Sequence, residues 1–201
     1  MDAASWDERY RGGELVWKAE PNRFVAQELA GLEPSGRAVD LAAGEGRNAV
    51  WLAERGWDVD AVDFSAVALE KAQRLGAERG VRLRTVHADL TRWAPPEAAY
   101  DLAVIAYLHL PWPRMAEVLR RAAPAVREGG HLLLVGHDAA NPEHGHGGPQ
   151  DPGVLYSAGQ VADLWRPYAD ILRAETVVRP VTDSEGVGHD ALDALVHAVR
   201  R

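Results

Sequence analysis

A chain of 201 residues, 47% hydrophobic and 26% charged, is long enough for one buried core and too short for two ordinary domains joined by a linker. A formal charge of -8 leaves no basic surplus to neutralise a phosphate backbone, and with no cysteine there is no disulfide framework, thiolate metal site or cysteine nucleophile. The first residues lack the basic and apolar regions of a secretion signal and no apolar run reaches a membrane span, so the expectation is a cytoplasmic protein with small-molecule partners, no nucleic acid and no membrane.

Residues 1–37 read as a helical N-terminal extension. From residue 38 onward short β-rich runs alternate with longer segments of helical period, the pattern of a parallel sheet covered by helices. Strand one spans 38–41 and its helix 48–55, which Gly56 ends. Strand two ends at Asp63; Ser65 then serves as an N-cap, with Leu69, Ala72 and Leu75 on one helical face and Gly80 as the stop. Strand three covers 83–87 and strand four 100–106, and the helix after it places Met115, Val118, Leu119, Ala122 and Val126 on one face. The apolar run 131–136, entered through Gly129 and Gly130, suits a central strand buried on both faces. Residues 138–152, rich in Gly, Pro and His, make a loop long enough to be functional. A last helix is expected at 158–165, then strands at 171–178 and 192–199. Leu192, Leu195, Val196 and Val199 also repeat at helical spacing; the alternation of the whole chain favours strand.

The chemistry concentrates after strand one, where GEGRNA (44–49) follows an apolar strand and opens a helix. Gly44 and Gly46 let the main chain pass close to a ligand, and the helix start offers unpaired N–H groups. Asp63, about 20 positions past the glycines, stands where an acidic residue takes ribose hydroxyls. Asp89 closes the next strand-like stretch; a carboxylate there accepts from an exocyclic amine, or caps a turn through Asp-Leu-Thr. The same glycines with Ala49 satisfy a dinucleotide pattern, so a nicotinamide-dependent oxidoreductase is the rival enzyme and a non-catalytic cofactor-binding module the rival non-enzyme. His109 lies just past a central strand's carboxyl end, where open α/β sheets bind ligands, and its type leaves two roles open: general base, or a ring bonded to a neighbouring carbonyl. Tyr107 shares that rim. His137, Asp138, His144, His146 and His189 match no regular ligand spacing, and no metal is expected.

Seven strands with a terminal β pair, carboxylates at the ends of strands one to three and a glycine turn after strand one resemble the class I S-adenosylmethionine-dependent methyltransferases. More narrowly, GEGRNA, YLHLP (107–111), VLYS (154–157), RPV (179–181), WDERY (6–10) and residues 17–24 are similar to the tellurite-resistance and thiopurine methyltransferase-like branch. The resemblance implies a Rossmann-like seven-stranded α/β sheet in the order 3-2-1-4-5-7-6 with strand 7 antiparallel and helices on both faces. It also implies a cofactor-covering extension over 1–37, a catalytic domain over 38–201, and S-adenosylmethionine as cofactor with S-adenosylhomocysteine as product. On this likeness Gly44 and Gly46 line the methionine portion, Asp63 holds the ribose and Asp89 with Leu90 reaches the adenine, with Asn48 and Phe64 also among the cofactor-binding residues. Asp40 orients the turn or touches the cofactor amine, Tyr10 and Trp17 close over the amino-acid end, and Ala106 lies beside it. The catalytic pair is His109 and Tyr107, and Arg23 and Arg179 are the arginines offered to an anionic acceptor. One departure from the family stands out: the usual first glycine of the turn is Ala42.

Overall fold

A computed structural model of the chain describes residues 3–12, 15, 16 and 19–201. The unbroken apolar run of the fifth strand, β5 (Val126–His137), is explained by burial on both faces. Leu132 and Leu134 point into one core layer, and Leu133 and Val135 point into the other. β4 (Tyr100–Ala106) divides the same way, Ala103 and Ile105 to the first layer and Leu102 and Val104 to the second. The first layer is closed by α5 (Trp112–Ala125) and α7 (Ala158–Trp165) through Met115, Leu119, Val161 and Trp165. The second is closed by α2 (Arg23–Glu28), α3 (Arg47–Glu54) and α4 (Ala66–Glu78) through Phe24, Val25, Leu52 and Leu69.

The sheet has seven strands in the order β3-β2-β1-β4-β5-β7-β6, with β1 (Arg37–Leu41), β2 (Asp58–Asp63), β3 (Arg84–His87), β4 and β5 parallel. β7 (Gly188–Arg200) runs antiparallel to both β5 and β6 (Ala169–Thr182). Order and direction agree with the sequence reading, and the ambiguous last segment is strand. Its helical spacing comes from residues buried on both faces: Leu195 packs in the second layer and Val196 in the first.

Boundaries differ where caps or pairing decide them. Val126, placed on the helix by its apolar period, is the first residue of β5, because the carbonyls of Pro124 and Ala125 that a further turn would need accept instead from Ala98 N and Ala99 N, at 2.8 and 2.9 Å, and Val126 pairs with Tyr100. β6 and β7 outrun the expected strands because they pair with each other as a hairpin from Ala169↔Arg200 to Thr182↔Gly188. The 138–152 segment contains a short helix, α6 (Asn141–His144), and an isolated bridge, Asp138↔Tyr156. The Ser65 cap is present, its side chain accepting from Ala68 N at 3.1 Å. N-terminal to the sheet, α1 (Ala3–Tyr10) packs on α4. Among the described residues no helix is long and apolar enough to cross a membrane.

Candidate functional site

The carboxyl ends of the parallel strands converge on one edge, and the turn after β1 supplies its first half. Ala42, Gly44 and Gly46 all have positive φ, at 64°, 54° and 81°, so the bend is made of residues in left-handed conformations. Ala42 adopts the glycine-like geometry at a cost of roughly 1 kcal/mol, which keeps the turn although the glycine is missing. The two glycines serve different ends. A Cβ on Gly44 would come within 3.1 Å of the Tyr10 hydroxyl, so the buried Tyr10 lies directly over the turn. A Cβ on Gly46 would come within 2.5 Å of Ala72 Cβ, so that position is glycine for the approach of α4.

The carboxylates behind this turn are unequal. Asp63 is buried and accepts from Gly44 N at 2.8 Å and Ser65 N at 2.9 Å. Burial raises its pKa, and these amides with that of Phe64 oppose the rise. A carboxylate has about four lone-pair sites, so Asp63 can shape the turn and still accept a further donor. Phe64 offers its carbonyl to His87 Nε2 at 2.9 Å. Asp89 is exposed and accepts from both Thr91 N and Thr91 Oγ1, which hold its pKa low; Leu90 beside it is buried.

Asp40 is wholly buried, and neither oxygen makes a hydrogen bond. Burial lifts its pKa to about 7, against the pull of the Ala49 N–H, with Asp63 adding to the rise and Arg47 opposing it. The Arg47 guanidinium is itself largely buried, forms no hydrogen bond or ion pair among the described residues, and lies over the Tyr107 ring at 6.0 Å. A carboxylate whose nearest donor is the Ala49 N–H and a guanidinium held over the Tyr107 ring, both largely desolvated, therefore act on each other beside the turn. Asn48 accepts from Asn22 N at 2.9 Å and fastens the N-terminal segment to α3.

The second half of the edge lies beyond β4. Ala106, partly buried in the second core layer, ends the strand, and Tyr107 follows at positive φ of 57°. Its hydroxyl donates to Asp193 Oδ2 at 2.7 Å and accepts from Asn22 Nδ2 at 3.2 Å. Burial and the Asp193 charge push the phenol pKa up. Asp193 is fully buried and also accepts from Arg179 Nε at 2.6 Å. His109 Nδ1 faces Tyr107 O at 3.0 Å, while Nε2 accepts from His137 N at 3.0 Å. With both ring nitrogens engaged by main chain and burial lowering its pKa to about 4, His109 is a neutral ring at physiological pH. Arg23 lies away from this cluster, exposed and over the Phe24 ring at 5.4 Å. Trp17 falls outside the described residues.

Arg47, Asn22, His137 and Asp193 were not singled out for this edge from the sequence. Arg47 sits inside the quoted GEGRNA motif and could have been found there; Asp193 lies in an ordinary strand, with no local signal.

Residues 38–130 match the family model for a methyltransferase domain. Over this stretch the chain is similar to methyltransferase domains, and its fold is that of the S-adenosylmethionine-dependent class. A solved structure from work on the conversion of a disulfide bond into a thioacetal group during echinomycin biosynthesis superposes on this domain with a TM-score of 0.76 at 21% identity, covering 98% of this chain and 92% of that one. TehB from Haemophilus influenzae superposes with a TM-score of 0.73 at 15% identity over 99% of this chain and 67% of that one. At these identities the likeness is one of fold. The ribosomal RNA small subunit methyltransferase C of Alcanivorax borkumensis is 32% identical over 142 residues, 67% of this chain, and the chain spans only 42% of that relative's length.

The cofactor of the class is S-adenosylmethionine, and the residues present fit it. Its amino-acid end carries one ammonium and one carboxylate. Asp40, buried with unsatisfied oxygens, and Arg47 beside it are the complementary charges, and burying either without a partner is unfavourable. Asp63 retains acceptor capacity for a ribose diol.

Proposed function

We propose that the chain transfers a methyl group from S-adenosylmethionine to a small-molecule acceptor, with sulfur or a chalcogen oxyanion ahead of oxygen or nitrogen. The observation that carries this reading is the buried Asp40 and the nearby Arg47, opposite charges that act on each other beside a glycine turn, the carboxylate oxygens without a hydrogen bond of normal geometry. The bound sulfonium supplies an electrophilic methyl group and a neutral thioether as leaving group.

The chain's own residues account for the rest. Asp40 and Arg47 orient the amino-acid end, and Tyr10 with α1 covers the turn from solvent. Tyr107, fixed by Asp193 and Asn22, forms a rigid wall between donor and acceptor halves. Holding two reactants in line and excluding water accounts for most of the acceleration such a displacement needs. His109 positions that wall through its two main-chain bonds. The -8 charge favours a small acceptor over an RNA, although the Alcanivorax relative acts on ribosomal RNA by its name. The echinomycin-related structure, which shares the fold, comes from work on a disulfide and a thioacetal, and a sulfur acceptor is the reading in keeping with it.

Incubation with labelled S-adenosylmethionine and a panel of thiols, selenite, tellurite, phenols and amines tests this, with label expected in a thiol or chalcogen product. Binding of S-adenosylhomocysteine by calorimetry without turnover on any acceptor would leave a binding module. Stabilisation by a nicotinamide dinucleotide in place of S-adenosylhomocysteine would restore the oxidoreductase.

A further inference from the structure

Two histidines meet at the acceptor half, and they differ in what is left over. His109 spends both nitrogens on main chain. His137, the last residue of β5, does not: its Nδ1 is buried with no hydrogen bond and faces Asp193 Oδ1 at 3.4 Å, while Nε2 has no partner and is not buried. The ring is held on all sides. Tyr107 and His109 stand at centroid distances of 5.1 and 5.3 Å, and a Cβ on Gly148 would lie within 2.8 Å of the ring atoms, so the 138–152 segment packs its backbone onto the imidazole.

We propose that His137 Nε2 is the general base for a protic acceptor, with Asp193 as the positioning residue that draws the ring proton to Nδ1 and leaves Nε2 its lone pair. A neutral imidazole carries one N–H, and the carboxylate oxygen 3.4 Å from Nδ1, an ion-pair contact short of a hydrogen bond, is the acceptor that faces it. The charged and titratable groups that face the ring are Asp193 from β7, Arg179 from β6, and Tyr107 and His109 from the segment after β4. Burial and Arg179 favour the neutral ring at rest, and Asp193 stabilises the imidazolium once it forms. In the step, the acceptor X–H bond breaks and its proton joins Nε2. The electron pair left on X forms the bond to the donor methyl carbon, and the carbon–sulfur pair stays on the donor sulfur. The imidazolium then returns its proton to solvent.

This inference rests on the methyl-transfer reading and narrows it to an acceptor that is protonated at neutral pH, an aliphatic thiol ahead of an already ionised oxyanion. Nitrogen-15 spectra of the histidine side chains, with His137→Asn to assign the signal, are expected to show the His137 proton on Nδ1, and Asp193→Asn to shift it. Methyl transfer to benzyl thiol, followed at pH 6.5 and 9.5, is expected to fall about 100-fold in kcat in His137→Asn at the lower pH and far less at the higher, with S-adenosylhomocysteine affinity unchanged. A proton found on Nε2, or an equal loss at both pH values, overturns the base while leaving methyl transfer standing. A wild-type protein that binds S-adenosylhomocysteine but methylates none of the thiols, selenite, tellurite, phenols and amines removes the methyl-transfer reading, and the base falls with it.

Discussion

The two halves of the carboxyl edge are built on opposite electrostatic terms. Beside the glycine turn, Asp40 and Arg47 are desolvated, the carboxylate oxygens without a hydrogen bond of normal geometry. Beyond β4, Asp193 is equally buried yet bonded to Tyr107 and Arg179, with His137 beside it. An unpaired buried charge penalises the empty protein and is relieved by a ligand of opposite sign, whereas a satisfied one fixes its neighbours before any ligand arrives. One half waits for its partner and the other is already assembled.

Removing the hub of the assembled half has the largest expected effect. Asp193→Ala strands the Arg179 charge and the Tyr107 hydroxyl, and urea unfolding should show a loss of about 3–5 kcal/mol; a change below about 1 kcal/mol would mean that the cluster is solvated and the contrast between the halves is false. Asp40→Asn should move stability the other way. The folded carboxyl pKa of about 7 lies above the ordinary 3.8, so between these values the folded chain keeps a proton that the unfolded chain has released. Stability therefore falls as pH rises through that window. The asparagine variant should flatten the fall and be more stable at pH 8 by about 2 kcal/mol, out of the roughly 4 kcal/mol that the interval allows. It should also bind S-adenosylhomocysteine about tenfold more weakly, about 1.4 kcal/mol by calorimetry. If binding is unchanged, Asp40 does not face the cofactor.

Tyr107→Phe deletes one of the bonds to Asp193 and leaves Arg179 in place, so about 1–2 kcal/mol is expected from the same urea measurement. Ala42→Gly is the smallest. Relief of the positive φ is nearly cancelled by the greater freedom of glycine in the unfolded chain, and thermal unfolding should report a shift worth no more than about 0.5 kcal/mol.

The same contrast governs what could be read from the residues alone. The turn after β1 was legible because its parts are neighbours in sequence: Asp40, Gly44, Gly46, Arg47 and Asn48 span a single bend. The strand order followed from the alternation of strands and helices together with the resemblance. Of the second half, Tyr107 and Arg179 were named from the sequence, but their meeting with Asn22, His137 and Asp193 was not legible, since the five come from separate segments that only the sheet brings together. His109 stood out as a lone histidine past a strand, but residue type says nothing of the His137 N–H that occupies its Nε2. Gly46 matched a ligand motif while the neighbour that demands a glycine there is Ala72, on a helix whose approach no local pattern encodes.

The family match ends at residue 130, before His137, Arg179 and Asp193, and the last two of these arrive on a hairpin joined to the rest of the sheet through the β5–β7 ladder. On the proposed reading, another closing hairpin grafted onto the first five strands should change the acceptor and leave the turn after β1 as it is.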